Sequence, residues 1–266
     1  MNADIFIQAR LGSTRLPGKV LKKIGGVPNL VLTYKRIRRT KNARNVVVIT
    51  SECSIDDELV DVCIKYKIPF FRGSEHDCLD RHYQAAKKFN SDFVFKIPSD
   101  CPFSDPIINE AVISILLESH KSIDYVSNYH PPTFPHGLDI EGCKFSILEN
   151  AWQHAVKKHE REHTFPHIWD NPQQYSIANF VNKKGNMFMS HRWTLDYQED
   201  FEFVNQIYSE FSYDEAFTFE DILNLLDQKP ELALINQEYN GVNWYKNHAN
   251  DLKTITSDQY KQNYEK

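Results

Sequence analysis

No run of the chain approaches the ~18 consecutive apolar residues that a membrane-spanning helix needs. The first residues lead straight into Asp4-Ile5-Phe6-Ile7, with no basic segment followed by a long apolar one. Neither a membrane partner nor a secretory route is expected. No Cys-x-x-Cys pair occurs, and the five cysteines (Cys53, Cys63, Cys78, Cys101, Cys143) are scattered and odd in number. That disfavours a disulfide framework and a zinc knuckle, and reduced thiols in a cytoplasm are the simple reading. A basic excess is also missing. The 31 Lys and Arg against 36 Asp and Glu give a formal net charge of −5, which argues against a general nucleic-acid binder but leaves room for a local basic pocket. The Gly-x-Gly-x-x-Gly dinucleotide pattern is absent too.

What is present is a chain of 266 residues, 41% hydrophobic, enough for one large α/β domain with an appendage. Short apolar runs at 5–7, 45–50, 69–71 and 92–97 read as buried strands. Between them, 30–39, 55–66 and 77–89 carry apolar residues at helical spacing. Four alternations within the first ~100 residues imply a mostly parallel sheet flanked by helices on both faces. Further on, 105–117, 146–163 and 201–211 read as helices, and 125–128 and 187–195 as strands. From about Asp214 the character changes. Thr218 and Asp221 form a capping-box signature, and the stretch after Trp244 is polar. The expected division is a main domain over 1–213 and a C-terminal helical extension with a peripheral polar tail over 214–266.

Ligands of an open parallel sheet bind at the carboxyl ends of its strands. The loop after the first strand reads Gln8-Ala9-Arg10-Leu11-Gly12-Ser13-Thr14-Arg15-Leu16-Pro17-Gly18-Lys19. Its glycines let backbone approach an anion, and Arg10, Arg15 and Lys19 offset phosphate charge, so it suits a triphosphate. It is not a Walker loop: five residues separate Gly12 from Gly18, and Val20 follows Lys19. Asp100 stands just past the fourth strand and Asp196 ends another apolar segment. Two aspartates from separate strand ends fit Mg²⁺, which keeps waters and phosphate oxygens in its shell. Pro135-His136-Gly137-Leu138-Asp139-Ile140-Glu141 is dense in groups that could bind a sugar, and Glu162 and His163 could face the same pocket.

The first loop resembles the signature of the cytidylyltransferase family, which includes the CMP-Kdo and CMP-sialate synthetases and the spore-coat polysaccharide biosynthesis protein F type. The last is the nearer match. The resemblance extends in order through Phe71-Arg72-Gly73-Ser74-Glu75, Asp77-Cys78-Leu79-Asp80-Arg81, Ser99-Asp100-Cys101-Pro102, Asp124-Tyr125-Val126-Ser127-Asn128, Gly137-Leu138-Asp139-Ile140-Glu141, Arg161-Glu162-His163-Thr164 and Arg192-Trp193-Thr194-Leu195-Asp196. It implies a nucleotide-diphosphosugar-transferase, Rossmann-like α/β fold, CTP as the nucleotide and a sugar, sugar acid or sugar phosphate as acceptor in surface polysaccharide or glycan biosynthesis. It also implies a homodimer. It assigns the triphosphate to Gln8, Ala9, Arg10, Gly12, Ser13, Arg15 and Lys19, places Arg72, Gly73, Ser74 and Arg81 beside the nucleotide, and carries the metal ligands to Asp100 and Asp196. Arg10, Arg15, Lys19 and Asp100 are then the catalytic set. Departures stand at Lys96, where the family has Arg, at Phe103 and Tyr197, and at His136, where it often has Asp.

Two other readings exist. His159-Glu160-Arg161-Glu162-His163 matches the H-E-x-x-H zinc-protease pattern. A catalytically degenerate, nucleotide-binding scaffold is the other, favoured only by the departures at Lys96, Phe103 and Tyr197.

Overall fold

The computed structural model describes residues 1–245 and 251–254. In chain order its elements are β1 (Ala3–Gln8), β2 (Lys23–Ile24), β3 (Val27–Pro28), α1 (Asn29–Arg38), β4 (Asn45–Ser51), α2 (Asp57–Lys65) and β5 (Phe70–Gly73). There follow α3 (Cys78–Phe89), β6 (Phe93–Pro98), α4 (Pro106–Glu118), β7 (Tyr125–Ser127), β8 (Glu141–Lys144), α5 (Phe145–His154) and α6 (Lys158–Glu162). The series closes with α7 (Pro166–Trp169), β9 (Ile177–Asn179), α8 (Gln198–Glu210) and α9 (Phe219–Gln228). Seven strands form one sheet in the order β5-β4-β1-β6-β8-β7-β9. The pairings β1 with β4, β1 with β6, β4 with β5 and β7 with β9 are parallel, whereas β8 runs against both β6 and β7.

Side-chain alternation along the central strands divides the core. Ile5 and Ile7 of β1, with Val46 and Val48 of β4, pack against α1, α2 and α4. Phe6, Val47 and Ile49 point to the other face, against α3 and α5. Fully buried strands of a parallel sheet read as continuous apolar runs for this reason. A third cluster lies off the sheet, where Leu16, Phe103 and Trp193 meet Phe203, Val204 and Ile207 of α8 and Phe219, Ile222 and Leu226 of α9. Asp105 links these layers. Its Oδ1 accepts from Ile107 and Ile108 at 2.8 and 3.2 Å to cap α4, and its Oδ2 accepts from the Phe219 amide at 2.6 Å.

Three expectations need correction. The helix over 146–163 is broken: Ala155 is extended, with ψ 117°, and α6 starts afresh. The Glu160 carboxylate accepts from the amides of Val156 and Lys157, both at 3.1 Å, and Arg161 donates to the Trp152 carbonyl at 2.7 Å. Side chains thus satisfy the backbone groups the break exposes. The segment 187–195 is a series of turns rather than a strand, with a backbone hydrogen bond from Met187 to the Thr133 carbonyl at 2.9 Å and one isolated β-bridge between His136 and Arg192. There Gly137, at φ +111°, lets the two chains pass so closely that a Cβ would meet the Thr194 nitrogen at 2.5 Å. The stretch after Trp244 is not wholly peripheral, because Tyr245 and Leu252 are buried in the apolar cluster beneath α3 and α5. Its remaining residues lie outside those described.

Candidate active site

The loop after β1 is pinned at several points. The Ala9 amide donates to the Ile49 carbonyl at 3.0 Å, and the Leu11 amide to Asp56 Oδ1 at 2.7 Å. Burial would raise the Asp56 carboxyl, yet hydrogen bonds from Ser51, the Leu11 amide and Thr50 outweigh it and hold the pKa below the usual value. Asp56 is therefore an anionic peg for the loop. Leu16 and Val20 enter the core, and Gly18, at φ +66°, makes the turn between them. Lys19 is left facing a cleft of about 790 Å³ at the carboxyl ends of β1 and β6.

In that cleft Lys19 Nζ lies 2.7 Å from Asp100 Oδ2 and 2.6 Å from Asp196 Oδ1. Arg15 reaches the other Asp196 oxygen at 2.7 Å. Burial would depress the Lys19 ammonium, but the two carboxylates outweigh it and raise its pKa. Burial likewise pushes Asp196 up, and Lys19 and Arg15 overcome it, holding that carboxyl well below the ordinary range. Lys19, Arg15 and Asp196 are thereby each held in the charged form.

Both aspartates are positioned by backbone. Asp100 follows β6, and its carbonyl accepts from the Leu195 amide at 2.9 Å and the Thr194 hydroxyl at 3.1 Å. Asp196 is set by Asp200, whose Oδ2 accepts from the amides of Asp196 and Tyr197 at 2.9 and 3.0 Å. Asp200 is fully buried and makes a two-pronged pair with Arg192, at 2.8 and 2.9 Å. Asn236 donates to the Arg192 carbonyl and to Asp200, and Arg192 donates to the Val242 carbonyl at 3.0 Å. The segment around Tyr239 and Val242, which closes one side of the cleft, is thereby joined to the Asp196 arm.

The other end of the cleft is lined by Lys96, Tyr129, His130, His136, Asp139 and Glu141, with Trp169, Trp244 and His163 as a wall. Lys96 donates to Glu141 Oε1 at 2.8 Å and to the His163 carbonyl at 3.0 Å, and Tyr125 donates to Glu141 Oε2 at 2.7 Å. Burial, with Arg192 nearby, lowers the His136 ring to about 3. Burial, reinforced by the charge on Asp100, raises the Asp139 carboxyl to about 8.

Of the residues expected from sequence, the structure gathers Gln8, Arg10, Gly12, Ser13, Arg15, Lys19, Asp100, His136, Asp139, Glu141, His163 and Asp196 around one cleft. Ala9 and Glu162 do not line it. Arg72, Gly73 and Ser74 are not brought there either: they border a separate shallow depression beside α3 that shares no lining residue with the cleft. Arg72 is engaged with the Ser51 and Cys53 carbonyls, each at 2.9 Å, and with Asp57. Arg81 is wholly buried, donating to the Ser74 carbonyl at 2.8 Å and to Cys78 Sγ at 3.1 Å. The H-E-x-x-H arrangement does not form a ligand set. Glu160 is a helix cap, His159 is buried away from the cleft, and His163 stacks on Trp244 with centroids 4.2 Å apart. Sequence reading missed Lys96, Tyr129, His130, Trp169 and the Arg192–Asp200 pair as parts of the site. A charged residue inside Phe93-Val94-Phe95-Lys96-Ile97 was the available signal for Lys96.

Residues 5–241 match the family model described as cytidylyltransferase. The chain belongs to the cytidylyltransferase family. The solved cytidylyltransferase of Leptospira borgpetersenii serovar Hardjo-bovis is 32% identical, with a TM-score of 0.84 over 89% of this chain and 98% of that one. The spore coat polysaccharide biosynthesis protein SpsF of Bacillus subtilis is 29% identical over 88% of this chain and 98% of its own length. A CMP:2-keto-3-deoxy-manno-octonic acid synthetase solved with CTP is 16% identical, with a TM-score of 0.62, covering 79% of this chain and 99% of that one, which shows a shared fold. Among the described residues of this cytidylyltransferase no helix is long and apolar enough to cross a membrane.

Proposed function

We propose that this cytidylyltransferase transfers CMP from CTP to a sugar-type acceptor, a sugar, sugar acid or sugar phosphate, with release of pyrophosphate, in surface polysaccharide or glycan biosynthesis. The observation that carries the reading is the meeting of Lys19, Arg15, Asp100 and Asp196 in one cleft beside Arg10. A hydroxyl oxygen of the acceptor attacks the α-phosphorus of CTP. The new O–P bond forms as the bond from that phosphorus to the bridging oxygen breaks, the electron pair leaves with pyrophosphate, and the hydroxyl proton is released. Such a transfer depends on positioning and charge neutralisation.

Arg10, Arg15 and Lys19 neutralise the phosphates and the departing pyrophosphate. Asp100 and Asp196 converge on one positive charge, and two carboxylates completed by water and phosphate oxygens are a ligand set that Mg²⁺ accepts. Those two residues would hold the ion, which supplies further neutralisation of phosphate charge when bound. The same reading places the enzyme in the cytoplasm as a homodimer, testable by sedimentation. The functional test is pyrophosphate release with each of the four ribonucleoside triphosphates and Mg²⁺, against sugars, sugar acids and sugar phosphates. CTP-selective release supports the reading. Failure to bind any triphosphate with a divalent ion removes it.

A further inference from the structure

Lys19 does more at the loop end than stand near the phosphates. Its ammonium sits between two carboxylates, 2.7 Å from Asp100 Oδ2 and 2.6 Å from Asp196 Oδ1. These are the two groups assigned above to the divalent ion. The other Asp196 oxygen is taken by Arg15 at 2.7 Å, with Arg192 a further 3.7 Å contact. Two aspartates thus face Lys19 and Arg15, and the formal charges of the four cancel. The Lys19 side chain is only 11% exposed, so it is held in the cleft rather than waving at its rim. Its flexible four-carbon stem can still turn toward Arg10, Ser13 and Thr14, which line the same cleft.

We infer, resting on the CMP-transfer reading above, that Lys19 is a built-in counter-ion: it occupies the metal position between Asp100 and Asp196 in the nucleotide-free protein and yields it only when a triphosphate arrives with the divalent ion. An ion at about 2.1 Å from both oxygens would overlap the ammonium, so the two cannot share the place. Displacing Lys19 without nucleotide strips a largely buried cation of its partners and adds a double positive charge to a group already balanced. The triphosphate removes both penalties, because its oxygens receive the ammonium and offset the ion. Metal and nucleotide then strengthen each other's binding by one common factor.

The test titrates the full, nucleotide-free chain with Mn²⁺, a paramagnetic substitute for Mg²⁺, and reads the bound ion by electron paramagnetic resonance. Lys19→Met should bind Mn²⁺ at least roughly tenfold tighter than wild type, because a positive charge touching both carboxylates is gone. Arg10→Met removes an exposed cation of the same cleft that makes no ion pair with either aspartate, and it should stay within about twofold of wild type. Equal or weaker binding by Lys19→Met overturns the inference, and so does an equal gain in Arg10→Met. Should Lys19→Met misfold, crystals of the wild type decide. Soaked in Mg²⁺ alone, they should keep Nζ on both aspartates. With Mg²⁺ and α,β-methylene-CTP, Nζ should lie on phosphate oxygens instead. A metal ion seated between the aspartates without nucleotide overturns the inference. Absence of any nucleotide binding by wild type with Mg²⁺ removes the CMP-transfer reading and this inference with it. Nucleotide bound with Nζ still bridging the aspartates sinks this inference alone.

Discussion

The two ends of the cleft are built by different means. The phosphate end takes its charges from one continuous loop and two aspartates, Asp100 after β6 and Asp196 before α8, with Arg15, Lys19 and both aspartates paired with one another. The acceptor end takes its groups from β6, β8 and the 129–139 loop, and its titratable groups are displaced toward neutrality by burial. Opposite charges brought together stay charged inside a protein, and groups buried without partners give up their charge. Under the proposed function, the polyphosphate is assigned to the first end and the acceptor to the second.

The comparison breaks most severely if the scaffold beneath the phosphate end is removed. Arg192→Met leaves Asp200 buried and unpaired, which should cost about 3–5 kcal/mol of stability in urea denaturation. An unchanged midpoint would show that the pair does not hold the Asp196 arm. Lys19→Met retains most of the side-chain bulk but removes the shared ammonium. The rate of pyrophosphate release should fall about 10²–10³-fold, by analogy with loss of one preorganised charge-stabilising group. A loss of less than tenfold in that rate would take Lys19 out of the chemistry.

The acceptor end yields a pH prediction. His136 is lowered to about 3 in the fold against 6.5 ordinarily. Below pH 6.5 the unfolded chain therefore binds a proton that the folded one refuses. Its contribution is constant above that pH, and stability falls as pH drops from 6.5 toward 3, by at most ~1.4 kcal/mol per unit. His136→Asn should flatten that limb of a pH–melting series, and an identical slope in both proteins would contradict the assignment. The smallest expected effect is at the rim. Tyr239 stacks on Tyr197 with centroids 3.9 Å apart, and Tyr197 lies under Arg15. Tyr239→Ala should raise the Michaelis constant for CTP about threefold to tenfold through loss of a ring contact of roughly 0.5–1.5 kcal/mol, with turnover little changed.

The parallel half of the sheet was legible because each strand up to β6 is a short apolar run with a turn after it, a local signal. β8 and β9 were not, since Glu141-Gly142-Cys143-Lys144 and Ile177-Ala178-Asn179 have neither the length nor the alternation to declare themselves. Their strand state comes from pairing across the sheet. The helix break at 155–157 was hidden for a related reason: apolar spacing runs through it, and only the capping by Glu160 reveals the new start. In the site, Lys19 and Asp100 were readable from residue type in the segments after β1 and β6 and from the family resemblance, and Asp196 from the resemblance and from an apolar run that is not a strand. Arg81 was not, because an arginine in a motif looks the same in sequence whether it meets a ligand or holds the Ser74 carbonyl. Asp200 was visible as a residue but silent as a part, since its partner Arg192 becomes meaningful only when the turn at 192–197 brings them together.

Calorimetric titration of CTP in the presence and absence of Mg²⁺, for wild type and for Asp100→Asn with Asp196→Asn, examines the shared cation centre most directly. Tight binding that requires the metal ion and disappears in the doubly substituted protein is the predicted result. Equal binding by both proteins, or no heat of nucleotide binding from wild type with Mg²⁺, would contradict it.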